Sequence, residues 1–112
     1  MSQRYKKGDV VVLPFPYTDM TSIKTRPVLI VAYPGGTNVI VAQITSQQAH
    51  NDEYAVSLEE KDFAEGSLPT ASFVKTNMIM TLAEDMILAK TGIVDKDKMK
   101  EVENRLVRIF TQ

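Results

Sequence analysis

The chain has 112 residues, 44% hydrophobic and 24% charged, with a formal net charge of −1, which fits one small globular domain spanning 1–112 and leaves no room for a second. It contains no cysteine and a single histidine, His50, which excludes a disulfide scaffold, a thiolate zinc site and cysteine catalysis, and leaves a transition metal almost no nitrogen or sulfur ligands. No metal or other cofactor is therefore expected, and the absence of a signal-like N-terminus or a ~20-residue apolar run predicts a cytoplasmic chain that does not enter a membrane.

The first predicted element is a strand, Gly8 to Phe15, a β-branched apolar run interrupted by Pro14, as at a sheet edge or barrel rim. A polar, turn-prone loop from Pro16 to Thr25 leads into a second strand, Arg26 to Tyr33, where Pro27 is tolerable next to the strand's first residue. Pro34 to Asn38 signals a turn, and a third strand over Val39 to Thr45 follows at hairpin distance. Its continuous apolar run, Val39 to Ala42, predicts burial on both faces.

Ser46 to Glu53 reads as polar loop, and Tyr54 to Leu58 as a short fourth strand. Ser57 and Glu60 have capping-box spacing for one helical turn stopped by Gly66. Ser72 to Met80 is a fifth strand, and the apolar pairs around Thr91-Gly92 suggest a last short strand or bulge. The C-terminus is the firmest helix: Met99, Val102, Leu106, Ile109 and Phe110 make one apolar stripe. Lys100, Glu101, Asn104, Arg105 and Arg108 fall on the other face. Asp95 is its expected N-cap, Val94 and Met99 have staple spacing, and Glu101 with Arg105 is an (i, i+4) ion pair. Several short strands closed by one terminal helix indicate a mainly β fold, a small partly open barrel.

The near-neutral total hides a segregation of charge. Residues 1–51 carry five Lys/Arg against two Asp, net +3; residues 52–65 carry six acids against Lys61, net −5; residues 66–112 return to +1. An anionic ligand is therefore expected nearer the first half, although charges on solvated loops would give the same totals.

Three stretches taken together, Gly8 to Asp19, Lys24 to Val31 and Val41 to Ser46, resemble the PemK/MazF family of toxin–antitoxin endoribonucleases. Ser72 to Asn77, Thr81-Leu82, Gly92 and the terminal helix continue the similarity over nearly the whole chain. The resemblance implies an SH3-like barrel with a C-terminal helix, a homodimer, and metal-independent cleavage of single-stranded RNA. It also implies a cognate antitoxin that silences the toxin by wrapping across its RNA groove. Cleavage in such a family proceeds by attack of the ribose 2′-hydroxyl on the adjacent phosphate, leaving a 2′,3′-cyclic phosphate and a 5′-hydroxyl, which makes RNA the substrate.

That reaction gathers negative charge at phosphorus and needs fixed donors aimed at the non-bridging oxygens. Arg26 suits this role, being planar, permanently charged and matched to two phosphate oxygens; a surface arginine paired with a carboxylate is the alternative. Hydroxyls placed like those of Thr45 and Ser46, at a strand end, usually cap turns. The resemblance places a catalytic threonine at Thr45 and a phosphate contact at Ser46. Lys24, Thr25, Lys75, Asn77 and Tyr17 are the further RNA contacts expected, Tyr17 as a base platform.

The chain departs from some members at Val74-Lys75-Thr76-Asn77, where they have Val-Arg-Cys-Asp. Asn77 cannot act as a base and Lys75 is not a bidentate equivalent of arginine, so the resemblance names no general base. His50 lies in a polar loop and reads as an exposed, idle imidazole. Tyr33 and Phe73 fit either core packing or base stacking. A gyrase-poisoning toxin of the same fold class is one alternative, but its C-terminal Trp-Gly-Ile is missing from a chain that ends Ile109-Phe110-Thr111-Gln112. A non-catalytic SH3-like adaptor is the other, and it would need a cluster of aromatic residues that the sequence does not show.

Overall fold

Pairing between distant segments, more than local propensity, decides where the strands begin and end. The computed structural model describes residues 4–16, 23–47 and 51–112, so the candidates Tyr17 and His50 lie outside the described residues. Among the described residues seven strands occur in chain order: β1 (Asp9–Pro16), β2 (Ile23–Gly35), β3 (Asn38–Thr45), β4 (Ala55–Leu58), β5 (Phe63–Gly66), β6 (Ser72–Ala83) and β7 (Ala89–Val94). One helix follows, α1 (Lys96–Thr111). All neighbours in the sheet are antiparallel, in the order β4-β6-β3-β2-β1-β7-β5. The result is a curled, partly open sheet with a C-terminal helix, as the sequence predicts.

The largest change from the sequence reading is at β2. It starts at Ile23 rather than Arg26, because β1 pairs along it to the end: Pro14 with Thr25 and Phe15 with Lys24. Lys24 and Thr25, read as loop, are therefore strand residues. At the other end β2 and β3 meet in a tight turn through Gly35 and Gly36, at φ +106° and +68°, which residues with a Cβ rarely adopt.

The capping box of the short helical turn is also displaced. Ser57 is committed to β4, opposite Phe73, and the 3-10 turn Glu60–Asp62 is capped reciprocally by Glu59 and Asp62. The chain beyond it, read as helical turn up to Gly66, forms β5 against β7. β7 is both strand and bulge: Val10 pairs with Gly92 but Val11 with Lys90, leaving Thr91 as the extra residue.

Two apolar layers sandwich the sheet. Under α1, Leu29, Ala42, Ile44, Val56 and Val74 pack with Met99 and Val102. On the opposite face Val28, Ile30, Val39 and Val41 pack with Leu13 and Ile87, flanked by Tyr5, Tyr33, Met80 and Leu82. Val39 and Val41 thus serve one layer and Ala42 the other, which accounts for the unbroken apolar run of β3.

Asp95 caps α1, its carboxylate accepting the Lys98 N–H at 2.8 Å, and Val94 and Met99 share the core beneath it. The stripe does not extend to Phe110, which is 69% exposed, because the sheet ends before the helix does. Glu101 takes the Lys98 ammonium at 2.9 Å rather than Arg105, which instead reaches the Glu53 carbonyl. Among the described residues no helix is long and apolar enough to cross a membrane.

Candidate functional site

The register across the sheet sets the geometry of the site. β2 pairs with β3 at Val28 and Gln43; continued two residues to the strand ends, the same register sets Arg26 level with Thr45. β3 pairs with β6 at Thr45 and Phe73, and β6 with β4 at Phe73 and Ser57. Since partners in one register share a face, Arg26, Thr45, Phe73 and Ser57 form a single row across four strands. Lys24 lies on the same face of β2 as Arg26, two residues away.

A cavity of about 370 Å³ opens at the rim where this row crosses β2 and β3. Lys24, Thr25, Arg26 and Pro27 bound it from β2, and Ile44, Thr45 and Ser46 from the end of β3. These residues come from both faces of the strands, so the cavity wraps around their ends. Five of the residues singled out in the sequence, Lys24, Thr25, Arg26, Thr45 and Ser46, thus meet in one place.

Thr45 is half-buried, and its Oγ1 accepts the Gln47 backbone N–H at 3.1 Å. That is the turn cap expected of a hydroxyl at a strand end, and it does not exclude a second role. An oxygen held by a backbone donor keeps its own proton to donate, so the contact orients Thr45 as a donor beside an exposed guanidinium.

The far wall, Leu68, Pro69, Thr70 and Ser72, is missing from the sequence reading. Its signal was topological. β5 pairs at one end of the sheet and β6 near the other, so the connecting segment must cross the mouth of the curl. Ser72 is buried and its Oγ donates to the Thr70 carbonyl at 2.9 Å, bracing that wall.

Two expected contacts, Lys75 and Asn77, are not at this cavity, nor is Tyr33. Lys75 forms a close ion pair with Asp52, and both side chains are largely buried. The Lys75 ammonium, with help from the Tyr54 backbone N–H, holds the Asp52 carboxyl below the usual carboxylate range. Asn77 is exposed where β6 bulges: Gln43 pairs with Lys75 but Ala42 with Ile79. Tyr33 packs against the second core layer, and its hydroxyl donates to buried Glu84 at 2.9 Å. Burial, then Glu84, raises its pKa, and the ring is structural. Among the described residues no three His, Cys, Asp or Glu side chains come together as a metal site would require.

A family profile described as PemK-like, MazF-like toxin of type II toxin-antitoxin system matches residues 6–110. The chain belongs to this family. A search of curated protein sequences gave no match. Among solved structures, the chain is similar to the Mycobacterium tuberculosis toxin MazF-mt6, at 22% identity and a TM-score of 0.69, over 91% of this chain and 95% of that one. It is similar to a MazE-MazF structure from Deinococcus radiodurans, at 18% identity and a TM-score of 0.74, over 95% of both chains. A third neighbour is an endoribonuclease in complex with its cognate antitoxin from a mycobacterial species, at 19% identity and a TM-score of 0.72, over 93% of this chain and 92% of that one. At these identities the structures establish a shared fold, while the family rests on the profile. The PemK/MazF toxin fold thus carries, in this member, Arg26 and Thr45 side by side at the rim of its sheet.

Proposed function

We propose that this PemK/MazF toxin is a metal-independent endoribonuclease that cuts single-stranded RNA, with Arg26 and Thr45 at its centre. The 2′-oxygen attacks the adjacent phosphorus as the P–O5′ bond breaks. The 2′-hydroxyl loses its proton to water, the 5′-oxygen takes one from water, and the ends are a 2′,3′-cyclic phosphate and a 5′-hydroxyl. Arg26 neutralises the charge that builds on the non-bridging oxygens, and Thr45 donates a hydrogen bond to one of them. Lys24, Thr25 and Ser46 hold the flanking phosphates.

The observation that carries this reading is the register that sets Arg26 level with Thr45 beside one cavity. Among the described residues no imidazole or carboxylate bounds that cavity, so this reading assigns Arg26 and Thr45 charge stabilisation and positioning rather than proton abstraction. Neighbours described as endoribonucleases, one of them bound to its cognate antitoxin, support the same activity and an antitoxin partner for this chain. The proposal includes the homodimer that the family resemblance implies and a cytoplasmic location.

The test is incubation of the purified protein with end-labelled single-stranded RNA in excess EDTA, with analysis of the product termini. Cyclic phosphate ends are expected. Products ending in a 3′-hydroxyl, or cleavage abolished by the chelator, would refute the mechanism.

A further inference from the structure

Among the described residues Phe73 packs in neither apolar layer, although it is an aromatic residue in the middle of a four-strand row. Its neighbours on the same strand explain the difference. Val74 points into the core under α1, so Phe73 must face the other way, and there the second core layer reaches only as far as Val41 on β3. Beyond Val41 the face is lined by half-buried Gln43 and Thr45, and the ring bounds a second cavity, of about 620 Å³.

We propose that Phe73 is a base-stacking platform for a nucleotide flanking the cleavage point, in a subsite it forms with Ser57, Asn51 and Arg105. The inference rests on the RNA-cleaving reading given above and extends it to substrate selection. Phe73 is Thr45's direct partner across β3 and β6, so its backbone is one strand spacing, about 4.8 Å, from that of the proposed phosphate-binding threonine and about two from that of Arg26. An RNA strand laid along the row with a phosphate at Arg26 and Thr45 brings a neighbouring base over Phe73. A stack of this kind tolerates any base, because every base has a π-face, while Ser57 and Asn51 can hydrogen-bond a base edge.

Three carboxylates line the cavity, Asp52, Glu53 and Glu101. Asp52 is paired with Lys75 and Glu101 with Lys98, which lowers their repulsion of a phosphate, and Glu53 is exposed to solvent that screens it. Arg105 adds a cation at the cavity wall.

The experiment uses an RNA oligonucleotide that the protein cuts once, remade with a single abasic nucleotide at each position flanking the cut. The ratio kcat/KM is measured for the native protein, Phe73→Leu and Phe73→Tyr, with melting curves to verify folding. At one flanking position the abasic change is expected to lower native kcat/KM about 5- to 100-fold, the size of one base–aromatic stack. Phe73→Tyr keeps that penalty; Phe73→Leu loses it and cuts intact RNA at the reduced level, mainly through a raised KM. A readout independent of any variant is photocrosslinking: 5-iodouracil at that position should attach to Phe73. A full abasic penalty at every position in Phe73→Leu, or crosslinks that avoid Phe73, overturns the subsite and leaves the cleavage reading standing. Failure of the native protein to cut RNA overturns both.

Discussion

The Lys75 ammonium is held by the Asp52 carboxylate, across the junction between β6 and the segment that leads into β4. This pair takes a cation expected at the RNA and uses it to fix the start of β4, since Asp52 also accepts the Tyr54 N–H at 3.0 Å.

Asp52 predicts how the fold responds to acid. Its carboxyl is held below its ordinary value, first by the Lys75 hydrogen bond. Its contribution is therefore complete above the unfolded carboxylate value of about 3.9 and is lost as pH falls through the lower folded value. Asp52→Asn should lower the urea midpoint at pH 7, with a smaller gap to native protein at pH 3. An equal gap at both pH values would show that the ion pair is not responsible.

Asp9 is 1% exposed, accepts the Lys6 N–H at 3.0 Å and has the Lys90 ammonium at 3.4 Å. Asp9→Ala removes the acceptor of the Lys6 N–H and the partner of the Lys90 ammonium, and should cost about 1.5–3 kcal/mol, the range for hydrogen bonds to charged groups. Equilibrium denaturation measures it, and a loss under 0.5 kcal/mol would mean that water replaces the carboxylate.

Gly66 has φ +73°, and a Cβ there would sit 2.2 Å from the Thr91 carbonyl oxygen. Gly66→Ala should therefore detach β5 from β7 rather than merely strain it. Hydrogen exchange at Phe63–Gly66 and Ala89–Val94 should rise well above that of β3, while protection unchanged from native would contradict the close approach.

The lining of the cavity predicts a pH–rate profile. With no imidazole or carboxylate among the described residues around it, kcat/KM for RNA cleavage should rise through pH 5.5–8 without a histidine-like inflection near 6.5. A bell with a limb at that pH, abolished in His50→Ala, would bring His50 into the reaction.

Local pattern carried the sequence reading far where the structure itself is local. The β-branched runs of β1 and β3, the Asp95 cap and the Val94–Met99 staple all follow from neighbours within a few residues. It failed where partners are remote. Lys24 and Thr25 look like loop until β1 pairs with them, and β5 looks like a helical turn until β7 covers it. The wall at Leu68–Ser72 and the capture of Lys75 by Asp52 depend on which strands become neighbours, which no spacing along the chain encodes. Arg26 and Thr45 are legible through the resemblance to a family, and the register brings them to one cavity, where the proposed function pairs them.

The central claim is that Arg26 and Thr45 act together on one phosphate, and single-turnover cleavage of one RNA by Arg26→Ala, Thr45→Ala and the double variant tests it most directly. Each single change should lower the rate by ~10²-fold or more, the size expected for losing a charge-stabilising donor. The double variant should fall well short of the product of the two, because groups serving one transition state are not additive. Rates within twofold of native for both single variants would contradict the account and move the chemistry away from this rim.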